Sequence, residues 1–222
     1  MDARPRAAIS WSGGKDSAAA LAAVRDRLDV VASLTMFDER GQRSRSHGLR
    51  PEFIALQADR LGLRSITANC SWTTYNAAFT AALRTLAAEG ITHVVFGDLL
   101  FPEHREWAET RCAEASLTAV EPLWGIGTAE LFDAFVRSGA TAVMVTVREP
   151  WLDGSWLGRA LSPDMKPIFA ERGIDPCGER GEYHTAVIDS PLFSRPIAVT
   201  AGDRVKRGEC VALDLIPDAE RV

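Results

Sequence analysis

The chain has 222 residues, more than the roughly 150 of an average domain, with 46% hydrophobic and 25% charged residues and a formal charge of −5. This composition excludes a disordered or low-complexity protein, and a core of this size needs no disulfide or metal to fold. The acidic balance argues against nucleic acid as a partner, and no apolar run approaches the roughly 20 residues that cross a bilayer.

In chain order, strand and helix signals alternate as they do in parallel sheets. Ala7 to Trp11 predicts a buried strand, and Lys15 to Arg27, rich in alanine, predicts a helix. Val30 to Phe37 reads as a second strand and Asp38 to Arg50 as a polar, arginine-rich loop. A helix over Pro51 to Leu61 stops at Gly62, and Leu63 to Ala68 is a third strand. Tyr75 to Glu89 predicts a helix closed by Gly90, followed by a strand at Thr92 to Phe96. A helix over Pro102 to Ser116 and a strand over Leu117 to Glu121 complete five strands.

The expected fold is therefore α/β, an open parallel five-stranded domain over residues 1–123 with a smaller α+β domain over 124–222. In that second part a helix (Thr128 to Arg137), a strand (Ala142 to Val147) and a helix near Pro163 to Arg172 precede a strand at Ala186 to Ile188. The end is β-rich, with turn signals at Ala201-Gly202-Asp203 and Arg207-Gly208.

The opening residues Met1 to Arg6 leave no room for the apolar core of a signal peptide. Cys70, Cys112, Cys177 and Cys210 are scattered with no CxxC pair, as in a reducing compartment. A cytoplasmic protein with no membrane partner is expected. Abundant alanine and arginine beside only three lysines, Lys15, Lys166 and Lys206, point to a GC-rich, bacterial genome.

The strongest chemical signal is Ser12-Gly13-Gly14-Lys15-Asp16-Ser17, set between a strand and a helix. Paired glycines let the backbone approach a ligand closely, and successive N–H groups at a helix start form an anion site. Ser12 and Ser17 add hydroxyl donors and Lys15 adds a compact charge. A Walker A loop is excluded, because Ile9 and Asp16 stand where that pattern needs glycine and Ser or Thr.

A second signal is Cys177-Gly178-Glu179-Arg180-Gly181-Glu182-Tyr183-His184-Thr185, polar groups around two glycines just ahead of a strand. A third is the basic run Arg43 to Arg50, which holds Arg45 and His47 and falls near the carboxyl end of the second strand, where open α/β sheets bind ligands.

The glycine loop resembles the SGGxDS signature of the PP-loop ATP pyrophosphatases, a branch of the HUP superfamily, which implies a Rossmann-like fold for residues 1–123. The second signal, with Gly97-Asp98, Glu121-Pro122-Leu123-Trp124 and Asp189-Ser190-Pro191-Leu192-Phe193, is similar to motifs of the diphthine–ammonia ligase family and its bacterial relatives. The chain departs from the usual pattern at Arg180 and His184, inside the expected substrate cleft.

The resemblance implies ATP bound by Ser12, Gly13, Gly14, Lys15, Asp16, Ser17, Phe37, Gly97 and Asp98, with Mg²⁺ held at Asp16. It implies adenylation of a carboxylate on a small molecule or protein side chain, release of pyrophosphate, and transfer to ammonia or an amine. Lys15, Asp16, Glu179, Glu182 and His184 are the expected catalytic residues, with His184 taking a proton near neutral pH. Arg45, His47, Gly178, Glu179, Gly181, Glu182, Tyr183, His184 and Thr185 are expected to face the acceptor. The rival readings are a tRNA-modifying PP-loop enzyme and a non-catalytic ATP or AMP sensor of the universal-stress type. If the chain associates at all, a homodimer is the default.

Overall fold

The computed structural model describes residues 3–218; Met1 and Asp2 of the opening segment and residues 219–222 lie outside the described residues. The first half is a five-stranded parallel sheet in the order β3-β2-β1-β4-β5, built from β1 (Arg6–Ser10), β2 (Asp29–Phe37), β3 (Arg64–Asn69), β4 (His93–Val95) and β5 (Thr118–Val120). Four helices alternate with the strands: α1 (Lys15–Val24), α2 (Pro51–Arg60), α3 (Tyr75–Ala88) and α4 (Pro102–Ala113).

The period-2 alternation of strand side chains separates two cores. Ala7 and Ile9 of β1 pack with α1 and α2, whereas Ala8 packs with Phe79, Leu83 and Leu86 of α3 and Cys112 of α4. The alanines of α1 let that helix sit close to the sheet, with Ala18, Ala20, Leu21 and Val24 buried.

The second half contributes α5 (Thr128–Arg137), β6 (Thr141–Arg148), α6 (Met165–Arg172), β7 (Tyr183–Asp189), β8 (Val199–Arg207) and β9 (Cys210–Pro217). Its four strands form an antiparallel sheet ordered β7-β6-β9-β8. This sheet lies on the α1–α2 side: Val143, Val145, Ala186 and Val187 share one core with Ile9, Leu21 and Phe53.

Two expectations change here. Ala201-Gly202-Asp203 is no turn, because β8 runs through it and the register against β9 shifts between Ala201 and Arg204. A side chain on Gly202 would crowd Ile216 at 2.8 Å, so the bulge needs glycine there. In addition β7 starts at Tyr183, three residues ahead of its apolar run, so Tyr183, His184 and Thr185 are strand residues. Their backbone pairs with β6 even though their side chains carry no apolar alternation. No helix among the described residues is long and apolar enough to cross a membrane.

Candidate active site

In the order β3-β2-β1-β4-β5 the direction of winding reverses between β1 and β4. Open α/β sheets hold ligands at the carboxyl ends of the strands flanking that point. The Ser12–Ser17 loop leaves β1 there, and Gly97-Asp98 leaves β4 beside it. A cavity of about 510 Å³ occupies the crevice, within the span of small-molecule sites.

Of the residues singled out from the sequence, Ser12, Lys15, Asp16, Ser17, His47, Gly97, Asp98, Gly178, Glu179, Gly181, Tyr183, His184 and Thr185 line this cavity. The loop itself is tightly held. Gly13 has φ +84°, and a side chain on Gly14 would overlap the His47 ring. The Ser17 hydroxyl donates to the Gly14 carbonyl at 3.0 Å, and the Lys15 N–H donates to the Thr185 hydroxyl at 3.1 Å.

Behind the loop lies Gln57, fully buried on α2. Its amide nitrogen donates to the carbonyls of Gly13 (2.9 Å) and Val187 (2.8 Å), while its oxygen accepts from the Trp11 indole at 2.9 Å. The Val187 N–H also donates to the Gly13 carbonyl at 2.9 Å. One side chain thus joins the glycine loop, α2 and β7 with every amide hydrogen used.

The Lys15 ammonium donates to both Asp16 oxygens, at 2.9 and 2.7 Å, and to the Cys177 carbonyl, and it lies 5.5 Å from the Tyr183 ring centroid. Burial opposes its charge, but Asp16 and the other nearby groups outweigh that and hold its pKa above the ordinary lysine value. Asp98 is pushed above the usual carboxylate range, first by burial, with Asp16 adding to the rise. Glu179 is raised further, to about 7, by burial and then by Asp16. Among the described residues Lys15 is the only lysine or arginine lining the cavity, against three carboxylates.

Two imidazoles close the floor. His47 and His184 stack with ring centroids 4.8 Å apart, and His47 Nδ1 sits 2.7 Å from the Thr185 carbonyl. A carbonyl only accepts, so Nδ1 carries the hydrogen. Burial lowers His47 to about 4; burial, His47 and Lys15 lower His184 to about 3. Burial thus makes His184 a weak proton acceptor near pH 7, against the expectation that it takes a proton there, while Glu179 is the carboxyl raised toward neutrality.

Other singled-out residues lie elsewhere. Phe37 is 2% exposed and belongs to the core instead of the cavity wall. Glu182 is completely buried, and its two oxygens accept from the N–H groups of Asp175 and Arg180, both at 2.9 Å. It shapes the 175–182 loop that carries Glu179. In the basic run, Arg43 and Arg50 both pair with Asp214 on β9, at 2.6 and 2.5 Å, and hold the loop to the second sheet. Arg45 lies 4.9 Å from the Trp72 ring and donates through Nε to the Cys70 carbonyl at 2.9 Å.

The cavity also takes residues that the sequence pattern left aside: Ser46, Trp72, Tyr75, Trp107 and His104. His104 Nδ1 is 3.3 Å from Asp98, and the Trp107 indole donates to Asn76 at 2.8 Å. The cue for Trp72, Tyr75 and Trp107 was a cluster of aromatics near the carboxyl ends of β3 and β4. Trp107 reads on α4 as core packing.

A doubly wound α/β sheet with a braced glycine loop and a cavity at its switch point, at the carboxyl edge of β1 and β4, defines the class. Residues 5–119 match the family model of the diphthamide synthase N-terminal domain, and residues 128–214 match that of the diphthamide synthase C-terminal domain. The chain belongs to the diphthamide synthase family. It is 28% identical over 212 residues to a diphthine–ammonia ligase of Schizosaccharomyces pombe, covering 85% of this chain and 35% of that protein. It is 31% identical over 122 residues to a diphthine–ammonia ligase of Rattus norvegicus, covering 53% of this chain and 45% of that one. The chain thus spans between a third and a half of the length of these relatives. A solved structure described as a predicted subunit of tRNA methyltransferase from Methanocaldococcus jannaschii aligns over 84% of this chain and 98% of that chain, with a TM-score of 0.45 and 15% identity. That likeness is too loose to bear on function.

Proposed function

We propose that the chain is an ATP-dependent, AMP-forming ligase that activates a carboxylate and passes it to ammonia or an amine. The observation that carries the reading is the Ser12–Ser17 loop, with the cavity's only lysine, braced by β7 and lining the same cavity as Glu179. The naming of its relatives as diphthine–ammonia ligases supports the same chemistry. In this reading residues 1–123 bind ATP and 124–222 bind the acceptor.

The loop amides, the Ser12 and Ser17 hydroxyls and Lys15 hold the triphosphate, which requires Lys15 to exchange Asp16 for phosphate oxygens. The acceptor carboxylate attacks the α-phosphorus; the bond to the bridging oxygen breaks and pyrophosphate leaves. Lys15 stabilises the charge that develops on that leaving group. The amine then attacks the acyl carbon, AMP departs, and Glu179 takes the proton the nitrogen loses.

Among the described residues no group of three or more His, Cys, Asp or Glu side chains forms a ready metal cage. Mg²⁺ commonly uses one or two carboxylates plus phosphate oxygens instead. Asp16 and Asp98 fit that role, because Asp16 raises Asp98 and a cation would relieve the crowding. Mg²⁺ there would offset the negative charge of the phosphates.

Incubation with Mg·ATP, an amine source and candidate carboxylates tests the reading. Acceptor-dependent pyrophosphate and AMP are the expected products. Formation of ADP and phosphate, or no ATP binding at all, overturns it.

A further inference from the structure

A second chamber of about 300 Å³ opens off the first, sharing Ser46, His47, Trp72 and His184 with it. Its far wall comes from Arg45 and from the β8–β9 end, with Arg207, Cys210 and Ala212. The two spaces differ in charge. The first sets Asp16, Asp98 and Glu179 against Lys15, whereas the second sets Asp38 against Arg43, Arg45 and Arg207.

Arg43 is already committed to Asp214. Arg45 is fixed at the neck by the Trp72 face and by the Cys70 carbonyl, which accepts from both Nε and Nη2 and leaves the Nη1 end of the guanidinium for the chamber, and no carboxylate pairs with it or with Arg207 among the described residues. Two guanidinium groups without carboxylate partners, facing one small chamber, are suited to an oxyanion, which arginine binds through paired N–H donors. Between the chambers stand Trp72, 69% exposed, and the neutral imidazole pair, which suit the uncharged middle of a ligand.

We propose that this chamber holds the far end of a two-ended acceptor, a small molecule whose reacting carboxylate reaches the neck beside His184 while a second oxyanion, carboxylate or phosphate, is held by Arg45 and Arg207. The proposal rests on the ligase reading for the fate of the near carboxylate. Its binding claim stands apart from turnover. A monocarboxylate leaves both guanidinium groups unengaged, so the chamber selects dianionic acceptors.

Cys210 provides a readout that needs no activity, since it lines this chamber and is the one cysteine of four that is not buried. The full chain is alkylated with iodoacetamide in the presence of succinate, glutarate, adipate, 3-phosphonopropionate, butyrate or ATP, and Cys210 modification is followed by mass spectrometry. The expected result is at least about fivefold slower alkylation with a dicarboxylate or with the phosphonate, and whichever protects identifies the second oxyanion. Butyrate and ATP leave the rate unchanged. Arg207→Gln, on an exposed hairpin end, and Arg45→Gln both abolish protection, with circular dichroism confirming the fold. Protection by butyrate or ATP alone, protection that survives both substitutions, or no protection by any dianion overturns the proposal. Failure of the ligase reading looks different: no pyrophosphate from Mg·ATP while dianions still shield Cys210.

Discussion

The two walls of the cavity are built on opposite plans. On the parallel-sheet side, Ser12, Lys15, Asp16 and Ser17 of one short run line the crevice together. On the antiparallel side, the 175–185 segment divides its labour residue by residue: Glu179 and His184 face the cavity, Glu182 turns inward to hold the loop, and Thr185 receives the Lys15 N–H. The glycine loop is braced from behind by Gln57, Val187 and Thr185, whereas the second wall keeps Glu179 in place through the buried Glu182 carboxylate.

The contrast is broken most severely at Lys15. Lys15→Ala is expected to lower pyrophosphate release by about 10³-fold or more, the scale of losing a charge aimed at a transition state. Steady-state pyrophosphate release checks it, and retained turnover removes the loop from the chemistry.

Glu179→Gln should reduce amide formation by about 10²-fold, as for loss of a general base. Because the Glu179 carboxyl titrates at about 7, the wild-type rate should rise through that pH and the variant's should not. Stability gives an independent sign. A carboxyl whose pKa is raised on folding binds more protons folded than unfolded, so the protein loses stability as pH rises from about 4.5 to 7. Thermal melts should then show the glutamine variant gaining on the wild type at pH 8 and not at pH 4.

Gln57→Leu and Glu182→Gln sharpen the other half of the contrast, since both should act on stability before chemistry. Removing the Gln57 amide leaves the Trp11 indole and the Val187 carbonyl buried without partners, at a cost of about 2–4 kcal/mol. Glu182→Gln should cost about 1–3 kcal/mol, because the amide nitrogen only donates and leaves one of the two loop N–H groups without its acceptor. Urea unfolding measures both, and an unchanged midpoint for Glu182→Gln would return it to the list of chemical groups.

A further effect, on the pH dependence of stability, is acid sensitivity from the imidazole pair. His47 and His184 titrate at about 4 and 3 folded, against 6.5 unfolded, so their contribution is complete above pH 6.5 and fades as pH falls toward 4. His184→Gln should flatten the melting temperature between pH 6.5 and 4.5.

The sheet order and the glycine loop were legible because strand alternation and paired glycines are local signals. The start of β7 was not: Thr185 is buried against the Lys15 N–H, 170 positions away, and Tyr183 by the fold of its own loop, its hydroxyl donating to the Pro176 carbonyl at 2.5 Å. Nor did spacing reveal that Arg43 and Arg50 serve Asp214, more than 160 positions away. A motif shows which residue types gather at a site but not which of them turn their backs on it. Glu179 and Glu182 look alike as letters and differ only in who satisfies their oxygens.

The Gln57 amide has a consequence for anyone recombining this family. Because it ties residues 11, 13 and 187 together, the halves on either side of residue 123 cannot be exchanged freely between homologues. A chimaera whose donor half brings a shorter or apolar side chain to position 57 would assemble with a slack seam under the loop. The positions must travel as a set.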